Sequence, residues 1–540
     1  MKVSRTLILI AAGVGGLAVI APASAQEPSP GPMNAGDPTA SVAGPTRVVI
    51  QNVRFVGVTA VNPGALRWLL HDQFNKPLSY DDLQAMAEKV TRYYRKNAYF
   101  LARAALPVQD LSSGILEIHV TEGRVGKVSV RIAEDAPVSE SRVQAMLEPL
   151  RSQSVLNNRV YERTMLLISD LPGVRANATL EEGSESGTTD IKVEISAKKR
   201  WQVAVDADND GTKATGRERA GVTARWGSPS GNGDNLDVRV QASSDASLAF
   251  GRIAYELPVG YDGWRAGAGI AHVQYDLGGQ YSVLDAEGKA DVANLFATYP
   301  IHRSRNENAL LRLNVEYKSL NDDIKLVGLE SRKHLINVSA ATNYEARDAW
   351  GGGGFNSHAM SATWGRLTIE DDITRYFDQS AFGRQTEGNY LKLNFQLSRL
   401  QYLFARNNLF LGVAGQVASK NLDPAEQLNI GGAGTVRAYA NSELLADTGI
   451  VANLEWRIGL TRQFTLFPYY DLGHGSVFER VAGANDGGRT ISGYGVGLTW
   501  SQIGNFFITT SVAWRDKGEP PLAEGSDHEP RWLFQLQKSF

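Results

Sequence analysis

The side chains best suited to proton transfer or metal binding are eight histidines: His71, His119, His272, His302, His334, His358, His474 and His528. None belongs to an H-E-x-x-H pair, whose two imidazoles would share one helix face and hold zinc. His474 has Asp471 and Ser476 nearby, the side-chain types of a nucleophilic triad. Three residues in one turn-like stretch do not normally converge round a pocket, so a strand-end loop is their expected home. The chain has no cysteine, which removes thiolate chemistry, disulfides and cysteine-based zinc sites. No G-x-x-x-x-G-K-[ST] stands ready to cradle a nucleotide's phosphates. Enzymatic activity, a metal and a cofactor are therefore not expected. A formal net charge of -3 over 540 residues also argues against a nucleic-acid surface.

Positioning, not catalysis, is then what the elements must achieve. Lys2 and Arg5 precede an apolar run from Leu7 to Ile20, and Ala23-Ser24-Ala25 reads as a cleavage site. Residues 1–25 are thus expected to be a secretory signal peptide. Residues 26–46 hold five prolines and three glycines, a composition that cannot pack and reads as a flexible lead-in. Two small αβ units follow, at 47–122 and 123–198. In the first, Val48, Ile50, Val53 and Phe55 suggest a strand, Asn62-Pro63 opens a helix, and Ser79 caps a second with Leu83, Met86, Val90 and Tyr94 on one face. Ala98–Val108 reads as extended, and Ile115–Val120 as a closing strand. In the second, Val125, Val128 and Val130 start a strand, Ser139 and Asn157 or Asn158 begin helices, and Ile191, Val193 and Ile195 end the unit. Tyr93, Tyr94, Tyr99 and Phe100 either line a groove or fill the core.

Residues 199–540 show almost no helical pattern. Leu311, Leu313, Val315 and Tyr317 alternate with Arg312, Asn314, Glu316 and Lys318. Leu391, Leu393, Phe395 and Leu397 alternate with Lys392, Asn394, Gln396 and Ser398, and Ile450, Ala452, Leu454 and Trp456 with Val451, Asn453, Glu455 and Arg457. A sandwich would alternate too, but its central strands seldom tolerate so many charges on the second phase. A sheet that crosses hydrocarbon must close on itself, with apolar residues outside and polar ones inside. The expected fold is therefore a membrane β-barrel preceded by the two αβ domains. At about ten residues per tilted strand the length allows roughly 14 to 18 antiparallel strands, an even number, with about 16 the expectation. Tyr255, Trp264, Tyr299, Trp456, Tyr494, Trp500 and Trp514 suit interfacial belts facing outer-membrane lipid. Phe540 ends an aromatic-rich strand and resembles the signal read by barrel-assembly machinery.

This order of parts resembles the two-partner secretion transporters of the Omp85 superfamily, the hemolysin/hemagglutinin secretion–activation proteins, and the αβ units look like POTRA domains. Three stretches carry the resemblance: Asp208-Asn209-Asp210-Gly211; Leu428-Asn429-Ile430-Gly431-Gly432 leading to Thr435-Val436-Arg437-Ala438-Tyr439; and Phe467-Pro468-Tyr469-Tyr470-Asp471-Leu472-Gly473. It implies that a loop near 428–445 folds into the barrel and that Arg437 meets Asp471 as a loop–barrel latch. Gly431, Gly432, Val436, Tyr439 and Gly473 would support that loop. On residue types alone, a solvent-facing Arg437 and a turn-forming Asp471 fit as well, and the glycines serve equally as turn residues. The resemblance further implies translocation of a secreted exoprotein, adhesin- or hemolysin-like, across the outer membrane without nucleotide. A passive porin and a membrane-protein assembly factor are the competing expectations.

The sequence departs from the family pattern twice. Where it has glycine after the loop arginine, this chain has Ala438, so either the tip does not need positive φ or it is strained by about 1 kcal/mol. Some members have a plug helix ahead of the POTRA domains, but Ala35–Val42 is too short and polar to suggest one.

Overall fold

The computed structural model describes residues 47–476, 488–516, 520–524 and 530–540. The expected signal peptide and lead-in, and His528, lie outside the described residues. The chain forms two compact units, one ending at Ala197 apart from Leu171–Gly173, the other running from Lys198 to Phe540.

The first unit holds two three-stranded sheets of the same design. In each, the last strand in sequence is central, parallel to the first and antiparallel to the second. Ile115–Thr121 lies between Asn52–Val56 and Arg103–Ala105. Thr188–Ala197 lies between Arg124–Ile132 and Val174–Glu182. Helices Pro63–Leu69 and Tyr80–Lys96 cover the first sheet, burying Leu66, Leu83, Met86, Val90 and Tyr94 against Leu116 and Ile118. Ser79 and Asp82 close a reciprocal capping box, which satisfies two otherwise orphaned N–H groups. Asn62 and Asn157 cap their helices through side-chain oxygens, whereas Ser139 occupies the cap position without such a bond. The extended run expected over Ala98–Val108 shrinks to Arg103–Ala105. Ala98 sits at φ 70° and turns the chain back, and Pro107 has no N–H to offer a ladder.

Tyr94 is core. Its hydroxyl donates to Glu122, which also accepts the Thr59 and Ala60 N–H groups. Burial pushes the Glu122 carboxyl up, but those bonds together hold it below the ordinary range. Tyr99 packs edge-on to Tyr94, and Phe100 packs on Tyr161.

The second unit is a closed barrel of 16 antiparallel strands. They are β1 Trp201–Asp208, β2 Arg219–Gly227, β3 Asn235–Ser243, β4 Leu248–Pro258, β5 Arg265–Asp276, β6 Ala286–Arg303, β7 Glu307–Ile324 and β8 Leu329–Asp348. The rest are β9 Gly354–Ile369, β10 Gly388–Phe404, β11 Asn407–Ala418, β12 Thr448–Gly459, β13 Phe464–Ser476, β14 Arg489–Gln502, β15 Phe506–Arg515 and β16 Arg531–Ser539. β16 closes on β1 from Gln535 opposite Asp208 to Ser539 opposite Ala204. Asn209 continues the seam, its side chain bonding the Trp532 carbonyl and the Phe534 N–H, and the Phe540 N–H donates to Val203.

The alternation sorts as a barrel requires. Leu313, Val315, Tyr317, Leu391, Leu393, Ile450 and Leu454 face outward and are exposed. Their neighbours of opposite phase face the lumen, where Arg239 pairs with Asp206 at 3.0 Å and Arg225 with Asp237 at 2.9 Å. Trp264 stacks on Tyr299 and Tyr494 on Trp514.

One element was not expected. Asp372–Gln379 is a helix between β9 and β10, nucleated by Asp371, whose carboxylate accepts the Thr374 N–H at 2.6 Å. Eight residues are too few to show a period in the sequence.

Candidate functional site

The site is the loop from β11 to β12, residues 419–447, which folds into the lumen and is buried through most of its length. Leu428–Ile430 pairs with Leu444–Ala446 as a short hairpin. The chain reverses beyond it through Gly431 (φ 126°) and Gly432 (φ 91°). A Cβ on Gly431 would stand 2.2 Å from the Ala440 carbonyl, so glycine is required there for space as well as angle.

Arg437 lies at the loop's tip and is 8% exposed, while Asp471 on β13 is 0% exposed. The Arg437 Nε donates to Asp471 Oδ2 at 2.8 Å and Nη2 to Oδ1 at 2.7 Å, a two-pronged fork. The Arg437 backbone N–H adds a third bond to Oδ2 at 3.1 Å. Nη1 reaches Glu455 on β12 at 2.7 Å, and the guanidinium lies 3.5 Å from the centre of the Tyr469 ring. Burial alone would lower the Arg437 pKa, but Asp471 and then Glu455 outweigh it and raise it, so the arginine stays charged.

β13 is shaped to receive this tip. Tyr469, Asp471, Gly473 and Gly475 share the inward phase. A Cβ on Gly473 would come within 2.5 Å of Ile430 and 3.0 Å of Val436, so the glycine makes the floor on which the loop rests. Val436 and Tyr439 are buried with Ile430, Leu444 and Ile491. Ala438 has no positive φ, so the tip does not need the angle that glycine would give. Its methyl is accommodated instead by Gly493 on β14, where a Cβ would lie 2.4 Å from that of Ala438.

The loop's neck is held separately. Glu426 accepts from Lys318 of β7 at 2.8 Å and Asn337 of β8 at 2.9 Å, and pairs with Lys392 of β10 at 2.6 Å. Asp423 accepts from Lys333 of β8 at 2.9 Å. Burial raises the Glu426 pKa, but Lys318 and Lys392 pull it down to about 2. Further along, Glu443 pairs with Arg489 of β14 at 2.6 Å, and the Ala433 N–H donates to Asp210 just beyond β1 at 2.9 Å. The three stretches singled out in the sequence therefore converge on one loop.

Sequence reasoning did not single out Glu455, Tyr469, Asp210, Asp423 or Glu426 as site residues. A signal existed for Glu455, Lys318 and Lys392, which occupy the inward phase of their strands. His474 points away from Asp471, as residues three apart on a strand must, and bonds Thr490 Oγ1 at 2.8 Å. Among the described residues no group of three or more His, Asp or Glu is placed to hold a metal ion.

A closed barrel with an inward loop tied to its wall, following two small αβ domains, defines an outer-membrane transporter. Residues 187–500 match the family described as haemolysin secretion/activation protein ShlB/FhaC/HecB, and residues 48–123 match the ShlB-type POTRA domain. The chain belongs to this haemolysin secretion/activation family. It is 25% identical over 483 residues to the heme/hemopexin transporter protein HuxB of Haemophilus influenzae, covering 87% of this chain and 83% of that one. It is 23% identical to the outer membrane transporter CdiB of Dickeya dadantii, covering 79% and 76%. Among solved structures, CdiB from Escherichia coli superposes with a TM-score of 0.72 at 20% identity over 94% of this chain and 93% of that one. The barrel therefore lies in the outer membrane with its POTRA domains in the periplasm, and the family's transporters move partner proteins across that membrane.

Proposed function

We propose that this protein carries a secreted exoprotein, of the adhesin or hemolysin-like kind, from periplasm to cell surface without nucleotide hydrolysis. The observation that carries the reading is the Arg437 fork on Asp471, which fastens a lumen-filling loop that a passive pore would not need. In this reading the fork is a latch, supported by Gly431, Gly432, Val436, Tyr439 and Gly473, and it releases when the exoprotein enters. The protein itself catalyses nothing. Folding of each exported repeat outside the cell resists back-sliding and supplies the drive. The POTRA domains receive the unfolded exoprotein, since an extended chain adds readily to an exposed strand edge.

For this function the chain divides into signal peptide 1–25, lead-in 26–46, POTRA domains 47–122 and 123–198, and barrel 199–540. Phe540 marks the closing strand for the barrel-assembly machinery, and the outward apolar residues meet membrane lipid.

Deleting residues 47–197 tests the proposal in cells that co-express an exoprotein of the two-partner class. Surface exoprotein should vanish while other outer-membrane proteins keep their abundance. Continued export would overturn the reading. A general loss of outer-membrane proteins would replace it with an assembly role.

A further inference from the structure

The lumen has two unlike walls. On β1–β5 the inward residues form a charged ladder in which Arg219 pairs with Asp208 at 2.8 Å, Arg239 with Asp206 at 3.0 Å and Arg252 with Asp237 at 3.3 Å. Across the lumen, β8–β11 carry only Glu345 and Arg347 as charged inward-phase residues below the neck, both at the far end of β8. The cross-strand rows of this wall read Ala341, Ser361, Asn394 and then Asn343, Ala359, Gln396. These residues share the inward face with Asn337 and Lys392, which reach the loop inside the lumen.

We infer that the translocating polypeptide runs along the neutral β8–β11 wall and meets the loop at its neck, around Glu426. The inference rests on the translocation reading and adds a path to it. An unfolded chain presents unpaired N–H and C=O groups along its whole length. Serine, asparagine and glutamine both donate and accept, so they satisfy either group without holding one charge type. Small side chains leave room for bulky ones to pass. A charged wall would retain oppositely charged segments, whereas conduction needs binding weak enough to let go. The top of the neutral wall is where Lys318, Lys333, Asn337 and Lys392 hold Asp423 and Glu426. A chain climbing that wall meets the neck at its top, while the Arg437 fork lies to one side, on β12 and β13.

The chain has no native cysteine, so single cysteines report contact directly. The full-length protein would carry Ser361→Cys or Gln396→Cys on the neutral wall, or Thr223→Cys or Gln241→Cys on the charged one. Each would be paired with a cysteine-bearing exoprotein stalled in transit by a disulfide-locked domain at its end. Disulfide cross-links should form several-fold more at 361 and 396 than at 223 and 241. Equal or reversed yields, or none at any position while export of the unstalled exoprotein proceeds, would overturn the path. If the unsubstituted protein exports nothing, the translocation reading itself fails. As a second measurement, Gln396→Arg should slow export several-fold and Gln241→Arg should leave it nearly unchanged. The opposite order would also overturn the path.

Discussion

The tip and the neck of the inward loop use the same chemistry with the signs exchanged. At the tip the loop brings the cation, Arg437, and the wall supplies Asp471 and Glu455. At the neck the loop brings Asp423 and Glu426, and the wall supplies Lys333, Lys318 and Lys392. The difference lies in geometry. A guanidinium fork matches a carboxylate in one plane and one orientation, whereas an ammonium is a point charge that accepts many approaches. If the tip latches the loop as proposed, it should hold or fail as a unit. The neck should instead act as an electrostatic well that tolerates a shift of the loop.

Two buried cysteines would read the two anchors independently: Ala440→Cys near the tip and Ala425→Cys at the neck, since both alanines are 4% exposed. The largest effect is expected from Arg437→Ala. It leaves Asp471 and Glu455 buried without their cation, a loss of order 3–5 kcal/mol. Thiol labelling at 440 should rise about a hundred- to several-thousandfold, with 425 little changed. If both positions opened together, the loop would be one cooperative body and the contrast between its ends would disappear. Glu426→Gln should act in the opposite place, exposing 425 while 440 stays protected. Glutamine keeps some hydrogen bonding, so about 2–3 kcal/mol is expected. Single-channel conductance should rise in both variants, more in the arginine one.

Acidification separates the ends more gently. The Glu426 pKa falls from 4.5 free to about 2 folded, so ionised Glu426 stabilises the neck fully above 4.5 and loses that contribution as pH drops towards 2. Labelling at 425, measured with an acid-tolerant pyridyl disulfide, should be flat from neutral pH to 4.5 and climb below it. In Glu426→Gln that climb should be absent. A rise that began above pH 5 would point to a different titrating group.

The barrel was legible because a strand's period of two separates lipid from lumen residue by residue, as in Leu313 against Arg312 and Leu391 against Lys392. The neck was not legible. Lys318 and Glu426 stand more than a hundred residues apart, and nothing local in either marks the other. Arg437 and Asp471 were reached only through the resemblance, since their types and spacing suited a solvent arginine and a turn aspartate equally. Asp208-Asn209-Asp210-Gly211 was marked only by its resemblance to the family's opening strand and turn. Its asparagine completes the closing seam and Asp210 receives the loop, roles that depend on closure and so exist only in three dimensions.

The smallest effect concerns Ala438, and its sign is informative. If the tip required a left-handed backbone, Ala438→Gly would relieve strain and slow labelling at 440. The backbone there is ordinary, and the methyl sits in the space left by Gly493. Glycine should then lose a buried methyl, about 0.8 kcal/mol, and free the unfolded chain by roughly 0.5–1 kcal/mol more. Labelling at 440 should quicken about 5- to 30-fold, well short of the arginine variant. Slower labelling would mean that the alanine is tolerated under strain, and that the lock at the tip is weaker here than its fork geometry implies.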